Sequence, residues 1–260
     1  MEKPTKEQIA QNEAPDMVSF GSTDVPREEK AGMVQDLFDR VAQSYDTMND
    51  LLSLGIHRLW KDTMVDWANP RPGQRTLDVA GGTGDIAFRI QDKTYDRADA
   101  TVLDLTPGML QVGRARARDQ GFDLNIKWLA GDAMNLPLPD NSFDLYTIAF
   151  GIRNVTDISV ALSEAYRVLK PGGRFLCLEF AKVDVPMLDA LYDMWSFRVM
   201  PAIGQQVASN KDDYTYLVES IRRFPPQEEF AQMLRDAGFE AVRHRNLTGG
   251  IAALHSGWKI

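Results

Sequence analysis

Residues Leu77–Ala87 read "LDVAGGTGDIA", and this stretch decides the fold. An apolar run, Leu77 to Ala80, is broken by glycines and resumes at Ile86 with the character of a helix. Gly82-x-Gly84-x-x-Ala87 has the spacing of a dinucleotide-binding turn. Glycines between a strand and a helix let the backbone approach a ligand, and the helix N-terminus favours anions. The charges around the turn point the other way. Asp78 precedes the glycines and Asp85 stands among them, so a pyrophosphate would meet two carboxylates, whereas a cationic ligand would be attracted. Asp85 also fits a plain helix N-terminal acid. Asp104, at the end of the next strand, does not discriminate, because an acid there accepts from ribose hydroxyls in either cofactor class.

Working outward, apolar runs alternate with helical patterns. Strands are expected at 75–80, 99–104, near 125–129, at 143–150 and at 174–180, with helices near 85–92, at 107–119 and at 158–169. Such alternation implies a parallel sheet covered on both faces. Upstream, Val34, Leu37, Phe38 and Val41 recur at helical spacing, and residues 27–68 are expected to form an N-terminal helical lid. "NPRPG" (Asn69–Gly73) ends it. Residues 1–26 are expected to be a mobile tail, and 27–260 one domain with a helical insertion at 185–225 near the substrate. "EAVRHRNLTGGIAALHSGWKI" reads as two strands joined at Thr248-Gly249-Gly250. The expected fold is therefore α/β: a mainly parallel seven-stranded sheet of Rossmann-like type, finished by an antiparallel hairpin.

Composition narrows the function. The 260 residues carry a net charge of −8, which argues against general nucleic-acid binding. One cysteine, Cys177, excludes an intrachain disulfide framework and fits a reducing compartment. With three histidines and that single cysteine, no metal site is expected. No apolar run is long enough for a transmembrane helix, and the N-terminus resembles neither a signal nor a transit peptide.

S-adenosylmethionine has no phosphate and carries an ammonium and a sulfonium, which suits an acidic glycine turn. Asp132, in Gly131-Asp132-Ala133 after the third strand, can accept from an adenine amino group, although it also fits a polar turn. Together with "FDLYTIAFGIRN" and "RVLKPGG", these pieces resemble the class I S-adenosylmethionine-dependent methyltransferases. The loop after the fourth strand, Phe150-Gly151-Ile152-Arg153-Asn154, lacks the Pro-Pro-aromatic element of amino-group methylases of nucleic acids. "YDTMNDLLSLGIHRLWK" (Tyr45–Lys61), "FGIRNVTD" (Phe150–Asp157), "YTYLVESI" and the terminal "NLTGGIAALHSGWK" resemble the ubiquinone/menaquinone biosynthesis C-methyltransferase family, from about Phe20 to Ile260.

That resemblance implies S-adenosylmethionine as cofactor and, as substrate, a polyprenyl benzoquinol, a demethylmenaquinol, or both. It implies a cytoplasmic protein at the inner face of the membrane, with peripheral contact through the lipid substrate. A homodimer or a quinone-biosynthesis complex stays open. Thr83, Asp104, Asp132 and Ala133 map onto cofactor-binding positions, joining Asp78 and Gly82 of the turn. Ala149 departs from the serine frequent in the family and removes one hydrogen bond near the cofactor. For the chemistry, a quinol becomes carbon-nucleophilic as its hydroxyl ionises, so a cation in a dry pocket is needed. Arg153 is the candidate cation, with Asn154 as hydrogen-bonding partner, and a salt bridge from Arg153 to Asp157 is the alternative; Tyr45 fits a bond to a quinol oxygen or a packed aromatic of the lid equally well. His57 reads as a helix-surface residue or a proton acceptor, and His244, His255 and Cys177 as structural. Leu188, Leu191, Tyr192, Trp195 and Val199 share one helical face that suits a prenyl tail or simple packing.

Overall fold

The computed structural model describes residues 16–41, 50, 53, 55–122, 125–181 and 211–260. In chain order these form a hairpin of β1 (Met17–Phe20) and β2 (Thr23–Pro26), then α1 (Arg27–Val41) and α2 (His57–Ala68). There follow β3 (Arg75–Val79), α3 (Asp85–Thr94), β4 (Asp99–Asp104), α4 (Pro107–Gln120), β5 (Ile126–Ala130) and β6 (Phe143–Ala149). A 3-10 turn (Ile152–Asn154), α5 (Ile158–Val168) and β7 (Leu169–Phe180) come next, then α6 (Lys211–Arg223), α7 (Gln227–Asp236), β8 (Glu240–Leu247) and β9 (Ala252–Trp258).

The main sheet has seven strands in the order β5-β4-β3-β6-β7-β9-β8. The pairings from β5 to β7 are parallel, and β9 is antiparallel to both β7 and β8. Thr76–Val79 are all buried, as a central strand covered on both faces requires. β7 shows the two faces most clearly. Leu176, Leu178 and Phe180 pack with Trp60, Met64 and Val65 of α2, while Phe175 and Cys177 pack with α5 and α7 on the other side. From β3 the chain fills one side of the sheet through β4 and β5, then crosses to β6 on the other. The loops that leave β3 and β6 therefore diverge, and the crevice between them is where this topology binds ligands.

Three expectations change. Residues 17–26 are a paired hairpin, not tail: Val25 is buried, Phe20 stacks on Tyr216 at 4.3 Å, and Gly21 turns with φ 59°. The expected helical lid divides, since α2 is core and only α1 lays apolar residues over the crevice. The strand expected at 174–180 begins earlier, at Leu169: "KPGG" lies inside β7 as a register shift, with Gly172 at φ 79° and hydrogen bonds between Gly172–Gly173 and Lys259 of the terminal hairpin. Residues 1–15 of the tail, residues 182–210 and the Leu188–Val199 face lie outside the described residues.

Candidate active site

The glycine turn closes the C-terminal end of β3. Gly82 and Gly84 take φ of 54° and 84°, where a Cβ is disfavoured. A Cβ on Gly84 would also stand 2.5 Å from the Trp128 ring, which fills the space between the turn and α4. Two non-glycine residues, Ala80 (φ 49°) and Phe150 (φ 58°), adopt the same left-handed conformation at the exits of β3 and β6. Strain of this kind gathers where a site over-determines the backbone.

Between these loops lies one pocket, and Asp78, Gly82, Thr83, Asp104, Asp132 and Ala133 all line it. Asp104 is buried and pinned: Gly82 N–H donates to Oδ2 and Thr106 N–H to Oδ1, both at 2.8 Å. Burial pushes its carboxyl above the usual range, and the two backbone donors oppose that. Asp132 accepts from Met134 N–H at 2.9 Å, forming the tight turn after β5. The Thr83 hydroxyl accepts from Arg116 of α4 at 2.8 Å.

Asp78 differs. Thr147 Oγ1 donates to its Oδ1 at 2.9 Å, but its Oδ2 is buried without a partner. Burial pushes this carboxyl up to about 7. An orphan carboxylate oxygen facing a pocket fits a ligand with a cationic end and disfavours a phosphate. Asp85, at the start of α3, is bridged by Lys61 at 2.6 Å and by Arg89. Burial would raise its carboxyl, but the two cations outweigh that and hold it below the usual range.

The predicted catalytic residues separate. Asn154 lines the pocket, and its Oδ1 accepts from Tyr216 OH at 3.0 Å, which leaves its N–H groups as donors. Tyr45 lies outside the described residues. Arg153 does not line this pocket; it borders a neighbouring cavity behind the Val155–Thr156 wall. Its side chain is 2% exposed, pairs with Glu179 of β7 at 2.7 Å and donates to the Phe150 carbonyl. Two expectations for Arg153 are thereby corrected. It is not a pocket cation, because Glu179 and the Phe150 carbonyl take up its guanidinium. Nor is it bridged to Asp157, which caps α5 and pairs with Arg27.

Among the described residues, the pocket's basic side chain is Lys61, which the sequence reading passed over. A signal was present. His57, Trp60, Lys61, Met64 and Val65 are the buried stripe of α2, and a lysine on such a stripe needs an anion. His57 is buried rather than on the helix surface; its Nε2 meets Asp50 Oδ1 at 2.8 Å, and burial lowers its basicity. His255 is buried against Gln227 O and pushed down to about 4 by burial. Burial raises the Cys177 thiol, which sits in the core. The described residues contain no group of three or more acids, histidines or cysteines placed to hold a metal.

Known proteins match at two levels. Solved structures share the fold: an S-adenosylmethionine-dependent methyltransferase of Thermotoga maritima (TM-score 0.62, 22% identity, covering 87% of this chain and 99% of that one). The [4+2]-cyclase SpnF matches with TM-score 0.66 at 18% identity, covering 88% of this chain and 96% of that one. At these identities they establish architecture alone, and the cyclase makes plain that the architecture does not fix the reaction. Sequence relatives are far nearer. The ubiquinone/menaquinone biosynthesis C-methyltransferase UbiE of Brucella suis is 59% identical over 244 residues, 93% of this chain and 91% of that protein. That of Dinoroseobacter shibae is 59% identical over 241 residues, 93% of this chain and 96% of its own length. The family model matches residues 24–259, and the chain belongs to the ubiE/COQ5 methyltransferase family.

Proposed function

We propose that this chain methylates a ring carbon of a polyprenyl benzoquinol, a demethylmenaquinol, or both, using S-adenosylmethionine. The observation that carries the reading is the pocket's two-sided character in a chain of this family. Its strand side is acidic and polar, with Asp78, Asp104 and Asp132, while Ala31, Val34 and Phe38 of α1 make an apolar wall opposite. The acidic side suits the adenosyl and amino-acid parts of the cofactor, and the apolar wall suits an uncharged ring bearing a hydrocarbon tail.

Bound S-adenosylmethionine supplies an electrophilic methyl group. The protein's part is alignment and charge. Asp104, held by two backbone donors, accepts from the ribose hydroxyls. The Asn154 amide donates to the quinol oxygen, lowering the cost of ionising it. Arg153 works from behind, holding the Phe150 carbonyl and with it the left-handed turn that presents Asn154. The methylated ring carbon then loses its proton to solvent and aromaticity returns. The described helices include none long and apolar enough to cross a membrane.

The test is transfer of labelled methyl from S-adenosylmethionine to short-chain demethylated benzoquinol and naphthoquinol under anaerobic conditions. Label should enter the reduced rings and not the corresponding quinones, because electrophilic substitution needs an electron-rich ring. Equal labelling of quinone and quinol, or labelling of neither, would overturn the reading.

A further inference from the structure

Lys30 of α1 is 5% exposed and, among the described residues, meets no carboxylate; its Nζ donates to the Val155 carbonyl at 3.0 Å. Lysine is almost never buried without a counter-charge, because an unpaired ion is costly away from water. Burial lowers the basicity of Lys30, and the neighbouring charge of Arg27 adds to that. One carbonyl uses one of the three ammonium donors, so two remain.

Lys30 does not line the reaction pocket. It lines the cavity of about 330 Å3 on the other side of the Val155–Thr156 wall. The other charges around that cavity are matched: Arg153 pairs with Glu179, Arg223 with Asp24, and Asp157 with Arg27. Lys30 is the one charge of the described lining that no opposite charge balances. Lys30, Arg153 and Tyr216 are buried while Ser159 and Arg223 are exposed, so the cavity runs inward from solvent to the ammonium. Ser19, Thr156 and Ser159 bring hydroxyls to it, and Ile158, Phe224, Pro225 and Met233 make the rest of its lining apolar.

We propose that this cavity is a second ligand site, which takes a small monocarboxylate with an apolar body, its carboxylate accepting from Lys30 Nζ. A single unbalanced positive charge matches a monoanion, whereas a phosphate group brings more than one negative charge near neutral pH. The volume lies at the small end for ligand sites, enough for one ring or a short chain beside the charged group. The site shares only the Val155–Thr156 segment with the reaction pocket. Its occupant therefore reaches the reaction through the residues that follow Asn154 and not through the cofactor residues.

Calorimetry on the full chain tests the site with three probes: benzoate, benzamide, which has the same ring without the charge, and inorganic phosphate. Wild type should bind benzoate roughly 10–100-fold more tightly than benzamide, the scale of one charge-assisted hydrogen bond. It should also bind benzoate more tightly than phosphate, and saturating S-adenosylhomocysteine should leave that binding in place. Lys30→Gln keeps a donor for the Val155 carbonyl and removes the charge. It should lose the preference for benzoate over benzamide while binding S-adenosylhomocysteine within about twofold of wild type, since the two sites share no partner. In hydrogen exchange, benzoate should protect the backbone around Val155–Ser159 in wild type and not in Lys30→Gln. Absence of benzoate binding, equal affinity for benzoate and benzamide, or tighter binding of phosphate would each overturn the site without any variant. So would displacement of benzoate by S-adenosylhomocysteine, protection that appears at the glycine turn instead, or undiminished benzoate binding by Lys30→Gln.

Discussion

Asp78 carries opposed demands at a single residue. It is fully buried, one oxygen has no partner, and its carboxyl is pushed from 3.8 to about 7. A raised folded-state value means the native protein holds a proton that the unfolded chain has released, between about pH 4 and 7. Stability contributed by this group is therefore greatest below that window and falls as pH rises through it. The gap corresponds to roughly 4 kcal/mol as an upper bound. Asp78→Asn keeps an acceptor for Thr147 and removes the charge. In the ligand-free protein it should raise the melting temperature at pH 8, with the gain vanishing near pH 4, while S-adenosylmethionine affinity falls at pH 8. A variant that melts lower than wild type at pH 8 would contradict this account. The acid itself was legible, because a carboxylate beside a glycine turn is a local pattern. Arg153 was not. Its partner Glu179 lies on another strand 26 residues away, while Asp157 stands at the tempting spacing of one helical turn.

Elements explain why Arg153 matters despite lying behind the pocket wall. The 3-10 turn Ile152–Asn154 leaves β6 through Phe150 at φ 58°, and both Arg153 and Glu179 bond backbone groups there. Glu179 is fully buried; burial raises its carboxyl, and Arg153 opposes that. Removing one partner strands the other, which costs about 3–5 kcal/mol in buried pairs. Arg153→Ala should therefore unfold at clearly lower urea than wild type, with turnover per folded molecule reduced because Phe150 and Asn154 are no longer held. Arg153→Met combined with Glu179→Leu should recover much of the stability and little of the turnover. Asp157→Ala should cost the α5 cap and a part-exposed pair with Arg27, together about 1 kcal/mol. Urea melts and single-turnover rates on the four proteins separate the roles, and a fully stable, inactive Arg153→Ala would restore Arg153 as a direct participant. At this scale the sequence was a good guide: β4 and the helices around it fall within a residue or two of expectation, since alternating apolar runs and glycine stops are local signals. The start of β7 at Leu169 was missed, five residues before the expected 174, because "KPGG" is absorbed as an irregularity in the strand, braced by Lys259 from the far end of the chain.

Across the whole molecule, the strand order brings residues from four separate strand ends into one pocket, and the seven-strand count and terminal hairpin were readable before any coordinates. What escaped was the first hairpin, whose strands are four residues each and too short for a periodic signal. It is tied to α6 by Phe20 on Tyr216, by Ser22 N–H to Glu219 at 2.7 Å, and by Arg223, which donates to the Ser22 carbonyl at 2.7 Å and pairs with Asp24 at 3.1 Å. Tyr216 in turn donates to Asn154, so the hairpin braces the side chain proposed to meet the quinol. Burial pushes the Tyr216 hydroxyl up to about 12, keeping it a donor at all physiological pH. Among the described residues, no hydrogen bond ties the hairpin to β3, β4 or β5, on which the cofactor half of the pocket is built. Phe20→Ala should consequently act on one half only. We expect faster hydrogen exchange in the backbone of residues 216–223, a loss of roughly 1–2 kcal/mol in stability for a partly buried aromatic, and a lower rate of quinol methylation. Calorimetric affinity for S-adenosylhomocysteine should stay within about twofold, because sites without shared partners behave nearly additively. Tyr216→Phe, which keeps the stacking and removes the donor, should reproduce the rate loss without the exchange effect. Equal loss of cofactor affinity and turnover in Phe20→Ala would mean that the two halves of the pocket move as one, and that the hairpin supports the fold rather than the substrate side.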